Sequence, residues 1–172
     1  MLKRKPTLFQ HGAFSDYLGK IITEGYEIEE HLKVFLSSQA DSHKYSFQTV
    51  FESSSGLFAK ADCTLKNDDG SIDIYEVKSS TSVQRGSPQN QIKDASFQRV
   101  AAEAAGFRVA GVFIVHLNSQ YVRDGSIDAN NLLVFSDVTA EVDDLIEETQ
   151  QEIEAALSLL GTLDIDEGSC SC

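Results

Sequence analysis

Asp62, Glu76 and Lys78 are the three side chains of this sequence whose types and spacing could do chemistry together. They lie in two apolar-rich segments joined by Asn67-Asp68-Asp69-Gly70-Ser71, a strong turn signal. A turn placed symmetrically about Asp69 sets Asp62 opposite Glu76. Opposed residues of a hairpin share a face, with Cβ atoms ~5 Å apart. Lys78, two residues beyond Glu76, shares that face, and Val77 points to the core. Opposed carboxylates repel, and a divalent cation between them would remove the penalty. Mg²⁺ takes one or two carboxylates, with waters and a substrate phosphate completing its shell. Such an ion polarises a phosphoryl oxygen and acidifies bound water. A lysine beside it can orient or help deprotonate that water and offset developing negative charge.

A solvated hairpin with scattered charges would use the same residue types, which are common on surfaces. Two neighbours weigh against it. Ile72 and Ile74 precede Glu76 on its face, so that face continues a covered surface. The opposing row is expected to be Phe58, Lys60, Asp62 and Thr64, and it too begins with an apolar residue.

The elements that must position these residues are read from periodicity and punctuation. Leu18, Ile21, Gly25, Ile28, Leu32 and Leu36 recur at helical spacing over 17–37. Strands are expected at 44–52, 58–66 and 72–79, followed by a mobile Ser-, Gln- and Gly-rich loop over 80–90. An Ala-rich helix over 91–105 ends at Gly106. A strand follows at 108–117, and Val112-Phe113-Ile114-Val115 lacks alternation, as at the centre of a sheet buried on both faces. A short strand at 132–135 and a helix over 137–160 complete the core. The expected fold class is α/β: a central mixed sheet of about five strands flanked by helices on both sides. The chain reads as one domain over 1–172, with a core over 17–161 and a tail over 162–172.

The chain has 172 residues and a formal net charge of -13. The acidity is segregated: residues 124–172 contain no Lys or Arg, and the charges of residues 1–123 cancel. Overall acidity lowers the expectation of tight non-specific DNA binding, which depends on Lys and Arg neutralising phosphates. No apolar run reaches membrane-span length and no signal-peptide pattern opens the chain, so a cytoplasmic protein without membrane contact is expected. Cys63, Cys170 and Cys172 are too few and too oddly placed for a secreted disulfide framework. His11, His43 and His116 have no metal-ligand spacing.

Ala61-Asp62 followed by Glu76-Val77-Lys78-Ser79-Ser80-Thr81 resembles the split core motif of the PD-(D/E)XK nucleases. The downstream stretches are similar to the RecB-like and CRISPR-associated adaptation branch, and to a bacterial nuclease-like family. They are Asp94-Ala95-Ser96-Phe97-Gln98, His116-Leu117-Asn118, Tyr121-Val122-Arg123 with Gly125, and Asp137-Val138-Thr139. The resemblance covers roughly 17–172. It implies a metal-dependent deoxyribonuclease, using Mg²⁺ or Mn²⁺ on DNA, in repair, recombination or defence. Asp62, Glu76 and the Val77 carbonyl would be metal ligands, Lys78 the catalytic lysine and Gln98 a supporting glutamine. The tyrosine expected four residues after Gln98 is replaced by Ala102. In such nucleases a Gly-x-x-x-His on the first helix supplies a further ligand; here Gly25 is followed by Glu29 at that position, with His31 the runner-up. Glu29 lies inside the apolar stripe of its helix, as a ligand or as an edge carboxylate reaching solvent. Cys170 and Cys172 would belong to an iron–sulfur cluster or zinc site only in a chain continuing past Cys172. The competing expectations are a nuclease fold that has lost catalysis and serves as a binding module, and an acidic structural domain.

Overall fold

The computed structural model describes residues 16–161, with side chains from Glu27 onward. It is an α/β fold: a five-stranded mixed sheet between two helical layers. The elements are α1 (Asp16–Ser37), β1 (Tyr45–Glu52), β2 (Phe58–Lys66), β3 (Ile72–Val77), α2 (Gln91–Ala104), β4 (Val109–Leu117), α3 (Ala129–Leu132), β5 (Leu133–Asp137) and α4 (Thr139–Leu160). The strands lie in chain order. β3 and β4 pair in parallel across the α2 crossover, and the other neighbours are antiparallel.

One apolar layer joins the sheet to α2 and α4 through Ile74, Ile92, Ala95, Ala101, Val112 and Val142. The other joins it to α1 through Ile28, Leu32, Leu36, Tyr75, Val115 and Leu133. Each large aliphatic side chain so buried contributes about 1.5–3 kcal/mol. On α2 the helix approaches the sheet closely because Ala95, Ala101 and Ala102 are fully buried and small. Its N-cap is Asn90, whose side chain accepts from Lys93 N, and Gly106 turns the chain away with a positive φ of 91°.

The strand and helix bounds follow the sequence reading to within a few residues, and three features differ. The run Val112 to Val115 lies on an inner strand, buried on both faces as expected, but the middle strand is β3. The segment 80–90 forms no helix or strand, yet it is tied down. Gln84 exchanges two hydrogen bonds with Gln91, Ser80 O accepts from Leu117 N, and Arg85 pairs with Glu141. Four-residue α3 and a 3₁₀ turn at Ser42–Lys44 are too short to leave a periodic signal. The tail cysteines and the first fifteen residues, including His11, lie outside the described residues.

Candidate active site

The β2–β3 hairpin has the expected register: Cys63 faces Tyr75, Thr64 faces Ile74 and Leu65 faces Asp73, which sets Asp62 opposite Glu76 just past the paired stretch. Counting in twos from the Asn67 N to Ser71 O bond, Ala61 and Val77 would next exchange main-chain hydrogen bonds. The ladder stops short of them. Val77 N–H donates instead to Asp62 Oδ2 at 2.8 Å. A carboxylate thus replaces a main-chain carbonyl where β2 and β3 part. The Val77 carbonyl lies on the same strand edge as its N–H, and so faces the same fork.

The opposing row departs from expectation. Thr64 is buried, but Phe58 and Lys60 are exposed, and Ala59 and Ala61 take the buried places on the α2 side. Strict alternation breaks at Asp62, because Ala61 joins the α2-side core and Cys63 the α1-side core. The cause lies on β1. Gln48, opposite Asp62, has a positive φ of 54°, and the residues on either side of it, Phe47 and Thr49, pair with Cys63 and Ala61. Turning the backbone through this left-handed step swaps the faces of both strands and aims Asp62 into the fork.

Two hydrogen-bonded groups then form, one around Glu76 and one around Asp62, near enough for their charges to act on each other. Glu76 Oε1 accepts from Lys78 Nζ at 3.0 Å, and Glu76 Oε2 accepts from Gln98 Nε2 at 2.6 Å. The reverse Gln98 orientation would set an amide oxygen against a carboxylate. Lys78 Nζ also lies 3.5 Å from Asp94 Oδ2. Gln48 Nε2 donates to Glu29 Oε2 at 2.9 Å and reaches Asp62 Oδ1 at 3.5 Å. Glu29 therefore addresses the site through Gln48, half-buried as its place on the α1 stripe suggested. His31 is elsewhere, lining a separate depression with Glu27, Ser79 and Leu117. His116 is structural, with Nε2 2.9 Å from Ser136 Oγ.

Electrostatics follow from this crowding. Burial, and then the charge of Glu29, push the Asp62 carboxyl above its ordinary range, although the Val77 N–H offsets part of the shift. Burial, and then the charge of Asp62, do the same to Glu76. Burial pulls Lys78 down, but the charges of Glu76 and Asp94 outweigh it and hold the ammonium above its usual value. Cys63, buried behind Asp62, has its thiol pushed up to about 12 by burial.

A hard divalent cation fits this donor set. Two repelling carboxylates and a main-chain carbonyl face one fork, all of them oxygen ligands. Gln98 Oε1 is buried with no hydrogen-bond partner among the described residues, the cost of turning its amide N–H toward Glu76. Among the described residues no three His, Cys, Asp or Glu side chains converge tightly enough to form a cage on their own. Mg²⁺ sites need no such cage, since waters and substrate fill them. Of the paired carboxylates, Glu76 also lines a cleft of about 510 Å³ between β2, α2 and α4, with Lys60, Phe97, Gln98 and Ile153 among its other walls.

Sequence reasoning brought together Asp62, Glu76, Val77, Lys78, Gln98 and Glu29; the structure gathers the first five and sets Glu29 one step away, bonded to Gln48. It missed Gln48 and Asp94 as site residues. Centring the Ser53-Ser54-Ser55-Gly56 turn on Ser55 would have placed Gln48 against Asp62. Ala102, where the motif the sequence resembles has tyrosine, is fully buried in the α2-side core. Compared with known proteins, the chain matches no family model and no curated sequence.

Proposed function

We propose that this chain is a nuclease of the PD-(D/E)XK type that hydrolyses DNA phosphodiester bonds with Mg²⁺ or Mn²⁺, in the cytoplasm, in repair, recombination or defence. The observation that carries the reading is the fork itself. Asp62 and Glu76 oppose each other where the ladder ends, and Lys78 donates to one of them. When bound, the cation would polarise the scissile phosphate and acidify a water. Asp62, Glu76 and the Val77 carbonyl would hold it, and Glu29 would support Asp62 through Gln48. Gln98 holds Oε2 of Glu76, which leaves Oε1, the oxygen now taken by Lys78, for the cation. Lys78, kept charged by its neighbours, donates from Nζ to the attacking water or a phosphoryl oxygen and offsets the charge that develops there.

A cleavage assay on single- and double-stranded DNA with Mn²⁺ tests this, run beside Lys78→Ala and Glu76→Ala. Each variant is expected to lose about 10²–10⁴-fold in rate. Cleavage that survives equally in all three proteins overturns the assignment. A second reading, a nuclease fold serving only as a binding module, is favoured by one observation. Arg85, Lys93 and Arg99, three cations beside α2, are each engaged by carboxylates of α4. That reading requires DNA or protein binding that is indifferent to Mn²⁺.

A further inference from the structure

Lys78 and a cation on Glu76 would compete for the same oxygen, and the structure contains a second seat for the lysine. Its Nζ stands between Glu76 Oε1 at 3.0 Å and Asp94 Oδ2 at 3.5 Å. The two carboxylates differ in character. Glu76 is on β3, its side chain 13% exposed, whereas Asp94 is in the first turn of α2 and 61% exposed. Both ends of the arrangement are anchored. The Lys78 main chain is fixed by its N–H to Val115 O at 2.8 Å, so only the stem can swing. Asp94 N donates to Asn90 O at 3.2 Å, and α2 is clamped to the sheet by its buried alanines. Asp94 also stands on the divide between two depressions, the cleft beside Gln98 and Phe97 and a more polar one lined by Lys78, Ser79 and Asn90.

We propose that Asp94 is a positioning residue that takes the Lys78 ammonium when a cation occupies Glu76, and so holds it at the rim of the site, facing the substrate. The inference rests on the metal-dependent reading above. An ammonium and a dication sharing one oxygen, with Mg–O near 2.0–2.1 Å, would repel strongly. A swing of the lysine stem toward α2 relieves this without sending the charge into solvent. Without the Asp94 charge, the ammonium falls back onto Glu76 and opposes metal entry.

Titrating Mn²⁺ calorimetrically into the full chain tests this with a double-mutant cycle of Asp94→Asn and Lys78→Met. Asp94→Asn is expected to weaken Mn²⁺ by about two- to fivefold, as befits a half-exposed ion pair. It should lower kcat with KM unchanged, and Asp94→Glu should recover part of the loss. On the Lys78→Met background the same substitution should leave Mn²⁺ affinity unmoved. If the loss persists undiminished on that background, Asp94 acts on the cation directly and the positioning role is wrong. No loss in the single variant also overturns it. Either result with Mn²⁺ still bound by the wild-type chain leaves the metal reading intact, whereas a wild-type chain that binds no Mn²⁺ overturns both.

Discussion

Asp62 spends fold stability. Its carboxyl is buried, faces the negative charges of Glu29 and Glu76, and receives one main-chain N–H as compensation. A carboxyl whose pKa is raised by folding binds its proton more readily in the folded than in the unfolded chain. The stability it allows is therefore greatest below the ordinary carboxylate range and is lost as pH rises through the raised value. At neutral pH the ionised pair is a net cost. Asp62→Asn keeps an oxygen for Val77 N–H and removes the charge. It is expected to raise chelator-treated stability by about 1 kcal/mol at neutral pH, while abolishing Mn²⁺ binding. Below about pH 4, where the native carboxyl is protonated too, the gain should vanish. Urea denaturation at the two pH values reads this directly, and a lower midpoint for the variant at neutral pH would contradict it.

At the scale of elements, the hairpin and α2 explain why so much of the site was legible. The turn around Asp69 and Gly70 pinned the register of β2 against β3, and with it the opposition of Asp62 and Glu76. Gln98, Asp94 and Ala101 share a helix face by simple spacing, and that face meets the hairpin. What stayed hidden has a physical reason. A left-handed backbone at Gln48 leaves no trace in composition, because glutamine has no special liking for it. The switch of faces in β1 and β2 was therefore unreadable, and with it the burial of Ala59 and Ala61 in place of Phe58 and Lys60. Ala102 shows the packing side of the same problem. It is completely buried against the sheet, so a tyrosine there has no room. Ala102→Tyr, which would supply the tyrosine of the motif the sequence resembles, should cost about 1–3 kcal/mol or more by overpacking and should not raise activity. A thermal melt and the Mn²⁺ cleavage assay check both halves, and a stable, more active variant would refute the packing argument.

For the whole molecule, the acidity read from the sequence has a location. The α4 carboxylates Glu141, Asp143, Glu148 and Glu152 engage Arg85, Arg99 and Lys93, binding the α2 side of the fold to its own acidic helix. Among the described residues no helix is long and apolar enough to cross a membrane. Cations already engaged in this way release few counterions from DNA. The slope of log affinity against log salt for a duplex is accordingly expected to be shallower than about −3. Replacing Glu148 and Glu152 with Gln frees Lys93 and should steepen the slope by about one. Fluorescence anisotropy across a salt series measures both, and an unchanged slope in the double variant would show that Lys93 does not face the phosphates.

The left-handed step at Gln48 has one more consequence. β1 is an outer strand, and among the described residues no other strand pairs with the row of main-chain groups it turns away from β2. An even, eight-residue border of that kind invites another chain to lie alongside and extend the sheet. The kink breaks its straightness near the middle, so the same twist that delivers an amide between Glu29 and Asp62 also discourages copies of the protein from stitching themselves together edge to edge.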